Sequence, residues 1–219
     1  MNLNDLDHLT PPMTVSTPAT RQNQHLMPGQ NWIVAGKFPE STRSGQTDKD
    51  SPEDIPNNPP PADGKFASCG NPIAAFLDEV THNGNPWPRT RVTSGQAVPV
   101  SLTLRPETLV RRIYVVPTIP AWNPQQKLTR AQFAFSPDVT TYPYYRLFDA
   151  APYYTNPARE NILNGGLALV NDQFSFTFNL PAREVGPHSC LLVVECANTG
   201  DALYQLLDFE YVVTDTDDK

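Results

Sequence analysis

Three things are scarce in this 219-residue chain: cysteine, glycine and clustered positive charge. There are 3 cysteines, an odd number with no CxxC spacing, so no disulfide framework organises the fold. Cys69, Cys190 and Cys196 read as buried free thiols rather than as redox or metal groups. Only 11 Gly stand against 24 Pro, and that much proline excludes long helices, because each ring removes a backbone donor and clashes with the preceding turn. The net charge is -7 and no run of Lys or Arg occurs, which excludes the basic footprint of a nucleic-acid partner. No apolar stretch is long enough for a membrane span. The opening MNLNDLDHLT has neither a basic start nor an apolar leader core, so the expectation is a cytoplasmic product, with export by another route left open. GxSxG, HExxH and P-loop motifs are missing, and no recognisable motif pairs two carboxylates for acid–base work.

What the chain does have is β-pattern. Residues 97–104 (AVPVSLTL) alternate apolar with small or polar, and 173–178 (QFSFTF) place Phe174, Phe176 and Phe178 on one face. Residues 110–116 (VRRIYVV) are β-branched and aromatic, 189–194 (SCLLVV) form a continuous apolar run as a central strand does, and 204–213 (YQLLDFEYVV) read as a last strand. Turn residues separate them, and the one helix-like stretch is 70–80 (GNPIAAFLDEV). Many strands and few helices predict an all-β sandwich with long loops. Residues 39–63 are rich in Pro, Asp, Ser and Asn and almost free of large apolar groups, so they predict an insert without a packed core of its own. Residues 214–219 form an acidic tail.

Three stretches carry more than pattern. They are 60–78 (PPADGKFASCGNPIAAFLD) with Trp87-Pro88, 122–133 (WNPQQKLTRAQF) and 188–208 (HSCLLVVECANTGDALYQLLD). In this order they resemble the bacterial chitin-active lytic polysaccharide monooxygenases, also called chitin-binding type 4 proteins. The second matches the family's W-(D/N)-P-x-Q-x-L-T-R-x-x-F. The resemblance implies a fibronectin III-like or immunoglobulin-like β-sandwich over residues 12–213, preceded by an extension at 1–11. It also implies a chemistry: copper gripped by a histidine brace, made from the amine and imidazole of a first-residue histidine and from a second histidine on a loop. Imidazole nitrogen suits copper.

Carried over position by position, the resemblance implies that this brace is lost. Counting back from Thr17-Pro18-Ala19-Thr20-Arg21 puts the first histidine's place at Pro12. The second histidine's place, after 100–105 (VSLTLR), is Pro106. A proline within the chain has no side-chain donor and no usable nitrogen lone pair. The family's axial aromatic falls on Leu203. A family disulfide falls on Val139 and Phe178. The four histidines, His8, His25, His82 and His188, show no spacing that rebuilds a metal site.

The expectation is therefore a non-catalytic protein with no cofactor, binding chitin or another polysaccharide. Trp32 and Phe38 lie in the region of the family's sugar-contacting aromatic, and Tyr142, Tyr144 and Tyr145 open the aromatic segment 142–154. Tyr and Trp suit recognition because they combine area with a polar handle; packing against the sandwich is the competing role for the same rings. An alternative function is a scaffold that associates with itself or another protein, as in a toxin, inclusion or secretion particle, since a fold does not fix a function. A copper oxidase using other ligands is a third, weaker alternative.

Overall fold

The computed structural model describes residues 13–26, 34–38, 59–105, 110–134, 145–149, 168–170, 173–196 and 201–213. A four-stranded sheet is formed by β1 (Met13–Thr17), β6 (Ala97–Leu104), β10 (Gln173–Asn179) and β9 (Ala168–Val170), side by side in that order. The second sheet runs β2 (Val34–Gly36), β12 (Asp201–Tyr211), β11 (Gly186–Cys196), β7 (Val110–Pro117) and β8 (Tyr145–Asp149). Its sixth strand, β5 (Thr90–Val92), joins β12 in the one parallel pairing described. A hairpin of β3 (Thr81–His82) and β4 (Asn85–Pro86) stands apart. The predicted antiparallel sandwich is the observed one.

Each strand's pattern follows from what covers it. In β6, Val98, Val100, Leu102 and Leu104 point inward while the alternate positions face solvent. In β10, Phe176 and Phe178 enter the same core; Phe174's side chain lies outside the described residues. β11 is buried on both faces. Cys190, Leu192 and Val194 join the core between the sheets, whereas Leu191 and Val193 join a second core on the sheet's outer side. That second core is roofed by Phe38, Phe66, Leu77, Trp87, Leu128 and Phe133. The molecule is thus a sandwich with a third layer built from loops, which explains why β11 reads as an unbroken apolar run. Burying a side chain such as Leu192 or Phe209 is worth about 1.5–3 kcal/mol each.

The helix-like stretch forms a 3-10 helix, Pro72–Asp78, capped by the Asn71 side chain, which accepts from Ile73 N. A short helix, α1 (Arg21–His25), follows β1 and is capped by Thr20. The expected insert is described only at its C-terminal end. Residues 39–58 lie outside the described residues, but 59–63 are held in place: Gly36 N donates to Pro59 O (2.9 Å), and Arg130 N donates to Asp63 Oδ1 (2.6 Å).

Candidate functional site

Leu203 and the strand ends next to the other two positions that the resemblance singles out meet at one end of the sandwich. Met13 and Leu104 are register partners, so β1 begins where β6 ends. Val212 N donates to Val92 O (2.9 Å), and the turn after Val92 leads into β6, so β6 begins where β12 ends. Leu104 and Leu203 therefore belong to the same end. The strand ends that lead to positions 12 and 106 converge there, while Pro12 and Pro106 themselves lie outside the described residues.

Leu203 is 3% exposed and belongs to the core between the sheets, paired with Val194 on one side and Val34 on the other. Met13, Val34, Leu104 and Leu203 pack in the core between the sheets at this end. Among the described residues no group of three or more His, Cys, Asp or Glu could hold a metal. Pro12 and Pro106, on which the expected loss of copper rests, are not among these residues, and no step is derived through a copper ion.

The sequence reading missed a residue near this end. Glu195 is fully buried in β11, where Tyr114 Oη donates to its Oε1 (3.1 Å) while Oε2 has no partner. A buried carboxylate oxygen without a partner is costly. The signal was available: one charge inside an otherwise apolar strand (SCLLVVEC).

Phe38 is corrected from a sugar-contacting candidate to a core residue. It is 1% exposed, packs edge-on to Tyr204 (5.5 Å) and stacks on Phe66 (6.2 Å), with the Arg130 guanidinium above its ring (4.5 Å). Trp32, Tyr142 and Tyr144 lie outside the described residues. Tyr145 opens β8, opposite Val115, and its side chain lies outside them too. Of the former cystine positions, Phe178 packs in the core between the sheets; Val139 is outside the described residues.

The described histidines fall in two places. His25 and His82 lie ring to ring (4.3 Å), and both border Trp87 (5.1 and 4.9 Å). The hairpin turn Asn83-Gly84, with φ of +50° and +78°, follows His82 and demands an Asn-Gly type of pair. Arg21 sits over the Trp87 ring (4.6 Å). Burial first, then His82 and Arg21, push the His25 imidazole below its ordinary range. Its Nε2 is buried without a partner. His188 sits elsewhere, between Trp122 (6.1 Å) and Tyr211 (5.2 Å), with Nδ1 3.2 Å from Thr118 Oγ1. Burial first and Arg183 second push it down to about 4, so it is neutral at pH 7.

The WNP stretch is structural. Trp122 Nε1 donates to Pro187 O (2.8 Å), Thr129 and Gln132 form a reciprocal cap, and Leu128 and Phe133 enter the outer core. A family model described as "Lytic polysaccharide mono-oxygenase, cellulose-degrading" matches residues 14–209. The chain belongs to this family. A chitin binding domain from Burkholderia pseudomallei is similar with a TM-score of 0.69 and 30% identity, covering 91% of this chain and 98% of that one. A lytic polysaccharide monooxygenase from Streptomyces lividans, 19% identical with a TM-score of 0.62 over 91% of this chain and 99% of its own, shares the fold. GlcNAc-binding protein A of Vibrio vulnificus is 28% identical over 152 residues, 69% of this chain and 26% of that protein. The chain spans about a quarter of the length of this relative.

The family overturns one expectation. Its members are secreted or extracellular chitin-binding proteins, so the cytoplasmic assignment does not stand. That assignment rested on the first ten residues, which do not decide a compartment, and unpaired cysteines do not decide one either. Cys190 and Cys196 are buried, and burial pushes the Cys190 thiol far up. A thiol kept protonated and out of solvent is inert in an oxidising medium as well. No helix of the described residues is long and apolar enough to cross a membrane.

Proposed function

We propose that this chain is a non-catalytic member of the family that binds chitin or a related β-linked polysaccharide. The observation that carries the reading is in the sequence: proline stands at 12 and 106, the positions that the resemblance gives to the copper-holding histidines, and a leucine, buried in the core, stands at 203 in place of the axial aromatic. Chitin comes first because a chitin binding domain and a GlcNAc-binding protein are among its relatives.

A chitin pull-down after a copper titration on the same sample tests both halves. The expected result is depletion from the supernatant by chitin, with no type-2 copper spectrum at stoichiometric copper. Tight copper binding with release of oxidised oligosaccharides overturns the non-catalytic half. Failure to associate with both chitin and cellulose overturns the binding half, and a stable oligomer would then favour the scaffold alternative.

A further inference from the structure

The three strands β1, β6 and β10 contain no charged residue, in a chain that is 18% charged. Their inward positions fill the core, so the absence matters on the outward side. There β6 presents Ser101 and Thr103, β10 presents Gln173, Ser175 and Thr177, and β1 presents Thr17. Register places Thr103 beside Gln173, and Ser101 between Thr17 and Ser175. The result is an open sheet face of neutral hydrogen-bonding groups. Edge strands ordinarily carry charge to discourage unwanted pairing; the described strands of this sheet carry none.

The face is also preorganised. Gln173 Nε2 donates to Ser101 Oγ (2.8 Å), Ser101 and Ser175 hydroxyls are 3.3 Å apart, and Ser16 Oγ donates to Ser101 O (3.1 Å). Side chains already held in place lose less entropy on binding. A shallow depression of about 500 Å³ lies over the middle row, lined by Thr17, Pro99, Ser101, Ser175 and Thr177.

We propose that this sheet face docks neutral polysaccharide side-on, separately from the end of the sandwich that carries Leu203; the proposal rests on the polysaccharide-binding reading above. The chemistry matches. A neutral glycan offers hydroxyl and amide groups that both donate and accept, as Ser, Thr and Gln do. No charge has to be stripped of water on either side. The Pro99 ring gives the apolar face of a sugar something flat to rest on. Strands about 4.8 Å apart, with outward residues about 6.6 Å apart along each strand, repeat these groups on a regular grid suited to an ordered glycan surface.

The test compares the intact chain with Ser175→Arg/Thr177→Glu, and with Thr103→Glu should the first variant fold poorly, each checked by thermal unfolding. Depletion isotherms on chitin and cellulose particles are read beside sedimentation velocity. The expected result is retention of the wild type and at least a tenfold weaker isotherm for the variants, with sedimentation unchanged. Equal retention of wild type and variants overturns this face and leaves the polysaccharide-binding function standing. No retention of the wild type overturns both. A change of oligomeric state in the variants makes the face an interface between copies and overturns the glycan assignment.

Discussion

Arg21 and Asp208, 187 positions apart, form a two-pronged buried ion pair, Nε to Oδ2 at 2.6 Å and Nη2 to Oδ1 at 3.0 Å. The pair ties the segment after β1 to the middle of the six-stranded sheet. Arg21 also donates to Leu77 O (2.9 Å), and Ser189 Oγ donates to Asp208 Oδ1 (2.6 Å), so the loop layer, α1 and β12 meet at these two charges.

Arg21→Leu is expected to cost about 3–5 kcal/mol, because it strands the Asp208 carboxylate in the interior. Arg21→Leu/Asp208→Leu is expected to recover much of that loss. Urea unfolding of the two variants checks this, and a double variant no more stable than the single one would contradict it.

Acid is expected to weaken the fold below neutral pH. The His188 imidazole is held down to about 4, and His25 is lowered as well. Both bind fewer protons folded than unfolded. Their contribution is fully present above the ordinary histidine value of about 6.5 and is lost as pH falls toward the folded values. For His188, half-buried, the loss between pH 6.5 and 4 is on the order of 1–2 kcal/mol once solvent screening is allowed for. The melting temperature followed from pH 8 to pH 4 should fall less steeply in His188→Asn than in the wild type.

Removing the Tyr114 hydroxyl is expected to leave the Glu195 carboxylate shorter of partners. Tyr114→Phe should cost about 1–3 kcal/mol. In Tyr114→Phe/Glu195→Met the cost should be smaller than the sum of the single changes, because no buried carboxylate remains. A double-mutant cycle in denaturant measures the difference.

Phe38→Ala is expected to destabilise by about 3–5 kcal/mol, as removal of a fully buried aromatic does. Polysaccharide retention per folded molecule should stay at the wild-type level. Calorimetric unfolding and the chitin isotherm, run on the same preparation, separate packing from contact with sugar.

The thiols are expected to resist modification while the chain is folded. Cys69, expected to be buried, keeps part of its surface in solvent, yet desolvation raises it well above the ordinary thiol range, as it does the fully buried Cys190. A thiol-specific chromogenic reagent at pH 8 should react slowly with native protein and should count all 3 cysteines after denaturation.

The alternation in 97–104 and 173–178 was enough to determine that the chain forms strands, because a period of two has one structural solution. The stretches 60–78, 122–133 and 188–208 in their order were enough to suggest the family, and in the fold Trp122, Leu128, Thr129 and Gln132 of the second hold a particular loop layer onto the sheet. Sequence alone could not say that β12 is covered on both faces, that Phe38 faces inward, or which residue meets Glu195. Those outcomes depend on contacts between residues far apart in the chain, such as Tyr204 with Phe38 and Tyr114 with Glu195, and such contacts leave no local period to read. The uncharged outer face is of the same kind. Its residues are spread over β1, β6 and β10, and only strand pairing sets them side by side.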